Sequence, residues 1–406
     1  MRVYLKEHAV NDVPSGPVTL RTVRENTFDP PHELGRLREE TPVRRMTYAD
    51  GHLGWLVTGY SAVRAVLGDS RFSTRPDLQH PITPEAARLR GLPLPAGFFL
   101  RTDPPEHTRY RRLLTGQFTV RRMKQLEPRI EKIVADRLDE MERQGAPADL
   151  VRSFALPIPS LVICELLGVP YADHGRFQRA SAALISREQG TDQKRAALTD
   201  MLTYLHDLVL RKRAEPSDDL VGGLVAGGEL TDEEIAGVAL LLLIAGHETT
   251  ANMIALGTFA LLCNPSQLAA LRDDPSRAAG TVEELMRYLS IVDFPVRAAL
   301  EDVELEGHTI MAGESVTLSL PTANRDPRRF DVTETLDITQ HAAGHLSFGH
   351  GIHQCLGQQL ARNEMRIAIP ALLARLPRLR LAVPPERVPM RSDMAVYGVH
   401  ELPVAW

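Results

Sequence analysis

Apolar residues recur at three- and four-residue spacing through most of this chain, the pattern of helices that bury one face. Such stretches run over Pro31–Glu40, Pro128–Gln144, Leu161–Leu167, Tyr171–Ser186, Gln193–Arg213 and Ser276–Leu289. Ser61 caps a short helix ending near Leu67, and another opens at Pro104 or Pro105, where proline suits a first turn. The longest stretch, Thr231–Cys263, begins with a capping box in which Glu234 follows Thr231 by three residues. A last long helix begins near Cys355 and ends at about Leu376. The period falls to two in Val43–Met46 and Leu53–Val57, around an Asp50-Gly51 turn. It does so again in Val303–Leu305, Thr309–Met311 and Ser315–Leu320, separated by Glu306-Gly307 and Ala312-Gly313. Between Arg71 and Gly97 the chain is rich in Pro, Gly and polar residues and reads as a long loop with one short helix. With no internal repeat or clear linker, the pattern predicts one composite domain over residues 1–406, mainly α with a minor β part near both ends.

Composition narrows the function classes. A net charge of −5 excludes the strongly basic balance of a nucleic-acid-binding domain. Three scattered cysteines, Cys164, Cys263 and Cys355, form no disulfide framework and fit a reducing cytoplasm. Met1–Val10 is charged and has no apolar stretch of signal-peptide type. The longest apolar run, Val238–Ala245, falls well short of the roughly 20 residues that span a bilayer. The expectation is a soluble cytoplasmic protein with no membrane and no nucleic-acid partner.

The chemistry concentrates in Phe348-Gly349-His350-Gly351-Ile352-His353-Gln354-Cys355-Leu356-Gly357. Glycines on both sides of Cys355 permit a tight turn and close approach of a flat ligand. The loop feeds a helix, so Cys355 falls at a positive dipole end, which is expected to lower its pKa and favour a thiolate. Cys164 and Cys263 read as ordinary buried thiols. A zinc site from His345, His350, His353 and Cys355 is the alternative, but it lacks paired ligand spacings and leaves the glycines unexplained. Upstream, Ala245-Gly246-His247-Glu248-Thr249-Thr250 interrupts the long apolar helix. Gly246 weakens the helix, and the threonines can bond back to i−4 carbonyls and bend it. An acid and an alcohol there can relay protons. A polar patch satisfying local hydrogen bonds is the plainer alternative. Ala251 stands where a His-Glu-x-x-His metalloprotease helix needs histidine.

The cysteine loop resembles the haem-binding loop of the cytochrome P-450 family, Phe-Gly-x-Gly-x-His-x-Cys-x-Gly, at every fixed position. The resemblance runs from about Val43 to Arg378. It implies the cytochrome P-450 fold, haem b (iron protoporphyrin IX) as cofactor and Cys355 as the axial ligand of the iron. Phe348, Gly349, His353, Gly357 and Ala245 would stand around the haem. It puts the oxygen-activating acid at Glu248 and the alcohol at Thr249. His107 and Arg111, four apart on one helical face, resemble the propionate-binding segment, and Arg297 and His353 would be further propionate partners. Glu284-Leu-Met-Arg287 resembles the family's Glu-x-x-Arg pair behind the cysteine loop. By itself an i, i+3 pair stabilises a helix by only about 0.2–0.5 kcal/mol. Departing from the family, Asp331–Leu336 lacks the proline that often follows Phe330.

The implied activity is insertion of one atom of dioxygen into a hydrophobic small molecule, by hydroxylation or epoxidation. The substrate class would be a macrolide or other polyketide, a terpenoid, a sterol-like compound or a xenobiotic, as in the secondary metabolism of actinobacteria. The pocket would be lined by the 71–97 loop, the 171–213 helices, 241–245, 291–295 and residues near Val396. No Rossmann or flavin fingerprint is present, so electrons would come from ferredoxin and an NAD(P)H-ferredoxin reductase. Arg112 and Arg362 are the expected docking cations. Rival readings are a peroxide-driven oxidase on the same fold and a non-enzymatic haem-binding protein.

Overall fold

The computed structural model describes residues 16–88, 94–186 and 188–406. The charged stretch Met1–Val10 and part of the 71–97 loop lie outside the described residues. The architecture is mainly helical with a smaller β part, as the periodicities predict. Among the described residues six strands form the main sheet, in the order Val18–Thr19, Val43–Thr47, Leu53–Val57, Ser315–Leu318, Val296–Ala299, Phe72–Ser73. The hairpin of its second and third strands turns at Gly51, whose φ of 84° a β-carbon would resist. The sheet gathers strands from both ends of the chain: Leu53–Val57 pairs parallel with Ser315–Leu318, which pairs antiparallel with Val296–Ala299.

The helix Asp232–Cys263 runs through the main core. It starts with the expected capping box: Thr231 accepts from the Glu234 N–H at 3.2 Å, and Glu234 accepts from the Thr231 N–H at 2.9 Å. By length and composition it could cross a membrane, yet 78% of its most apolar stretch is buried inside the protein. Helices Pro157–Leu167, Thr191–Ala214 and Gln358–Arg375 pack against it. The end of the 71–97 loop is docked on it as well. A β-carbon on Gly237 would come within 1.7 Å of the Ala96 carbonyl oxygen, so only glycine permits this approach.

Several boundaries differ from the periodicity. The helix expected from Pro128 is Val120–Gln144, because Thr119 caps it by accepting from the Arg122 N–H. Pro128 lies inside it, and the buried stripe of Met123, Ile130, Ile133, Val134, Leu138 and Met141 carries the helix past the hydrogen bond that proline removes. The helix expected from Leu161 begins at Pro157. Helices Leu220–Gly227 and Pro265–Asp273 were not legible, the first because two internal glycines weaken its signal. Strand Val296–Ala299, which carries Arg297, was missed: its burial comes from sheet partners distant in sequence. The last helix is Gln358–Arg375, so Cys355 precedes it rather than opening it.

Candidate active site

The cysteine loop is held by its own backbone. The Cys355 N–H donates to the Phe348 carbonyl at 2.8 Å, and the Gly349 N–H to the Leu346 carbonyl at 2.8 Å. Gly349 and Gly351 take φ of 70° and 74°. At Gly351 a β-carbon would lie 2.4 Å from the Leu67 carbonyl oxygen, which explains that glycine by packing against Tyr60–Gly68. Gly357 is different: apart from itself and its chain neighbours, no protein atom lies within 4 Å of where its β-carbon would be. That open flank beside Cys355 suits a flat group lying against the loop.

Cys355 lies deep in the protein, yet its side chain is accessible, so it faces an internal space rather than packed side chains. The expectation that its place before a helix lowers its pKa is overturned. Burial pushes the thiol up, and the Gly357 N–H, Arg111 and Arg362 pull it down without winning. A helix end acts over one turn, whereas desolvation acts on the whole charge. An unaided thiolate is therefore disfavoured here; a bound metal cation would supply the missing charge.

Around Cys355 the structure brings together His107, Arg111, Arg297 and His353, the residues that the family resemblance implies, and adds Arg101, which the sequence reading missed. The His107 and His353 rings lie 4.1 Å apart. Burial, then His107, Arg297 and Arg111, hold the His353 ring down at about 3. Burial and the neighbouring Arg101 hold Arg297 at about 10. Arg111 acts electrostatically on Cys355. Asp103, the carboxylate beside this cluster, is engaged by Ser73 and the Thr74 N–H. Among the described residues no carboxylate is ion-paired with Arg101, Arg111 or Arg297, and Asp103 acts on Arg297 only from beyond contact. The Nδ1 atoms of both histidines are buried without a hydrogen-bond partner. Buried cations and orphaned imidazole nitrogens without anions are costly unless a ligand supplies negative charge. The carboxylates of a haem fit this demand. Arg101 was missed because a lone arginine before a turn carries no spacing signal.

Within the buried helix Asp232–Cys263, Ala245 is exposed and Thr249 half-exposed, one turn apart on one face. The internal space therefore opens along this face. The expected back-bonding is present: Thr249 Oγ1 donates to the Ala245 carbonyl at 2.8 Å and Thr250 Oγ1 to the Gly246 carbonyl at 3.3 Å. The helix stays continuous through the motif. Glu248, expected to face the pocket beside Thr249, instead is buried and ion-paired with Arg391 at 3.0 Å. Adjacent residues on a helix point about 100° apart, so the two side chains cannot share one face.

Behind the loop, Glu284 and Arg287 are fully buried and paired at 2.8 and 2.9 Å. Arg287 also donates to the carbonyls of Asn324, Thr333 and Thr335. The segment without the family's proline thus still supplies its carbonyls. Glu284 accepts from the Asp337 N–H and Gln340 Nε2, each at 3.0 Å.

Two expected docking cations have other work. Arg362 pairs with Glu283 at 3.0 Å and lies 4.4 Å over the Phe348 ring, bracing the cysteine loop. Arg112 is exposed but paired with Glu229 at 2.6 Å. His345 of the zinc alternative pairs with Glu283 at 3.2 Å, and among the described residues no three metal-binding side chains gather.

Burial would raise the Glu283 carboxyl, but His345 and Arg362 hold it down at about 2. Its stabilising effect is then complete above the unfolded carboxylate pKa of about 4.3 and is lost as pH falls toward about 2. Glu283→Gln is expected to lower stability near neutrality by up to about 3 kcal/mol. Urea midpoints of both proteins at neutral and acid pH check this: the gap should narrow on acidification, and a pH-independent gap would contradict it.

A protein-family model described as Cytochrome P450 matches residues 193–403. The chain is 53% identical over 394 residues to cytochrome P450 105C1 of a Streptomyces species, covering 97% of this chain and 99% of that protein. It is 47% identical over 393 residues to the vitamin D3 dihydroxylase of Streptomyces griseolus, covering 94% and 95%. The crystal structure of CYP105P1 in complex with filipin I matches with a TM-score of 0.92 at 44% identity, covering 96% of this chain and 99% of that one. Fold and relatives together define a haem-dependent oxygenase. The chain belongs to the cytochrome P450 family and is a monooxygenase, an oxidoreductase that incorporates oxygen from dioxygen.

Proposed function

We propose that this chain oxygenates a bulky hydrophobic small molecule, of macrolide or other polyketide, terpenoid or sterol-like type, using electrons from a ferredoxin and its NAD(P)H-dependent reductase. The observation that carries the reading is the cluster of arginines without ion-paired carboxylates beside an accessible, deeply placed Cys355. In this reading Cys355 would hold the haem iron through its sulfur, and Arg101, His107, Arg111, Arg297 and His353 would hold the haem carboxylates. Phe348, Gly349, Gly357 and Ala245 would line the haem site. Bound there, the haem supplies reductive activation of dioxygen and transfer of one oxygen atom to the substrate.

The chain's residues then have separable tasks. Thr249 Oγ1 rests donating to the Ala245 carbonyl and turns its hydroxyl proton to the internal space by giving up that bond. Glu248 replenishes that proton. Apolar walls keep bulk water from the site. Leu241 and Ile291 pack into the core, while Val292, Phe294 and Val396 are more open and are assigned to substrate contact. The relatives named for vitamin D3 and crystallised with filipin I support a large, largely apolar substrate. We further read the chain as one soluble, cytoplasmic domain.

Vitamin D3 and filipin I serve as first probes. Either is expected to shift the Soret band on binding and to yield an oxygenated product with ferredoxin, its reductase and NADPH. A protein that neither shifts nor turns over with these or smaller apolar compounds would contradict the substrate class. Turnover with hydrogen peroxide but none with ferredoxin, its reductase and NADPH would replace the ferredoxin route by the peroxide-driven one.

A further inference from the structure

The two stretches assigned to substrate contact, around Val292 and Phe294 and around Val396, are joined by a residue far away in sequence from both. Arg24 lies near the start of the described chain, yet its side chain is only 3% exposed. Its Nη2 donates to Asp293 Oδ1 at 2.6 Å and to the Ser290 carbonyl at 3.1 Å. Nη1 and Nη2 each lie 3.3 Å from the Leu289 carbonyl. The guanidinium carbon stands 3.9 Å from the centre of the Tyr397 ring. One planar cation thus holds a carboxylate, two carbonyls and an aromatic face, a set that the point charge of a lysine would not reproduce.

These bonds set the course of the backbone beneath the open side chains. Helix Ala278–Leu289 ends at Ser290, whose φ of 40° is left-handed and unfavourable for a residue with a β-carbon. Arg24 holds the Ser290 carbonyl, while Ser290 Oγ donates to the Arg287 carbonyl at 2.9 Å and accepts from Asn324 Nδ2 at 2.8 Å. Further on, the Ile291 carbonyl accepts from the Tyr397 N–H at 3.0 Å, and the Asp293 carbonyl from the Leu320 N–H at 3.0 Å. Tyr397 is tied to the N-terminal segment a second time, its hydroxyl donating to the Thr27 carbonyl at 2.7 Å. Asp293 lies between Val292 and Phe294, and Tyr397 follows Val396. Through these two partners Arg24 reaches the immediate neighbours of all three side chains. A separate anchor, Asp29 paired with Arg325 at 2.7 Å, pins the same N-terminal segment without touching Asp293 or Tyr397.

We infer that Arg24 is a specificity-determining positioning residue: by clamping Asp293 to Tyr397 it fixes where Val292, Phe294 and Val396 stand as walls of the substrate space. The inference rests on the reading of those three residues as substrate contacts. Val292 is 38% exposed and Phe294 and Val396 are only partly buried, so close packing does not fix them and the backbone under them must. Without the cation, Asp293 is free to turn to solvent, the two segments lose their common anchor, and a bulky ligand meets a looser wall. Chemistry at the iron does not pass through Arg24.

Haem-loaded wild type is compared with Arg24→Met, Arg24→Lys, Asp29→Asn and the double variant Arg24→Met/Asp293→Asn. Removing one partner of the pair strands the other, whereas removing both charges does not, so the double variant guards against a folding failure. The first readout is the Soret shift with imidazole, 4-phenylimidazole and clotrimazole, which bind the iron through the same ring nitrogen and carry increasing aryl bulk toward the walls. Arg24→Met and the double variant are expected to bind imidazole as wild type does and to lose affinity several-fold as aryl bulk grows. Arg24→Lys should recover part of the loss, and Asp29→Asn should leave the series unchanged. The second readout is the distribution of oxygenated products from vitamin D3 or filipin I, expected to broaden in Arg24→Met, with KM raised more than kcat is lowered. A wild-type azole series in Arg24→Met overturns the inference. So does an equal loss for all three azoles, the same change in Asp29→Asn, or loss of haem from both Arg24→Met and the double variant, since each makes the role one of the fold alone. An altered azole series in a protein that neither binds nor oxygenates vitamin D3 and filipin I sustains the inference and overturns the substrate class instead.

Discussion

Cys355→Ser is expected to abolish the strongly red-shifted Soret band of the reduced, carbon-monoxide-bound protein, together with monooxygenase turnover. A thiolate donates electron density to haem iron in a way that a serine hydroxyl does not, because an alcohol stays protonated near neutrality and is a poor soft ligand. The substitution isolates this property. The side chain is accessible, and the loop is held through the Cys355 N–H and the Phe348 carbonyl, which serine retains. The apoprotein should therefore lose little stability, within about 1 kcal/mol. A wild-type protein whose band already lies where histidine-ligated haem absorbs, unchanged in Cys355→Ser, would remove Cys355 as ligand. The raised thiol pKa sharpens the expectation. Without iron the sulfur favours its protonated form, so alkylation of the apoprotein at neutral pH should be slow compared with an activated cysteine.

Arg287→Met should cost about 3–5 kcal/mol of stability and much of the haem content. Glu284 would then be a fully buried carboxylate without its cation, and the carbonyls of Asn324, Thr333 and Thr335 would lose their donor. The same scaffold reaches the cysteine loop. Asn324 accepts from the Leu346 N–H at 2.6 Å and donates to Ser347 Oγ at 2.9 Å, and Ser347 Oγ donates to the Met286 carbonyl at 2.6 Å. Disturbing Arg287 thus disturbs the segment just ahead of Phe348. Urea midpoints and haem-to-protein ratios of Arg287→Met and Glu284→Gln/Arg287→Met check the argument. The double variant should recover part of the loss, since no charge is stranded. A single variant as stable as wild type would show that the pair is incidental to the fold.

The Glu284–Arg287 pair shows how far the sequence carries such an argument. Its spacing was legible, but spacing implies only a weak surface pair. Its importance comes from zero exposure and from partners near residues 324, 333 and 335, which no local pattern reveals. Arg362 shows the converse. It read as a candidate docking cation, and the structure shows it paired with Glu283 and stacked over Phe348, because three segments converge behind the loop.

By itself the sequence determined the helical character, the hairpin at Asp50-Gly51, the capping box at Thr231 and the cysteine loop with its histidine and glycines. These are short-range features: periodicity, caps and turn chemistry act within a few residues, so a linear pattern records them. Only the tertiary structure decided that burial raises the Cys355 thiol, that Arg101 joins the cation cluster, that Val296–Ala299 is a strand and that Glu248 turns to Arg391 rather than to the pocket. Each of these depends on desolvation or on charges brought together from distant segments, and such energies exist only once the chain has closed around them.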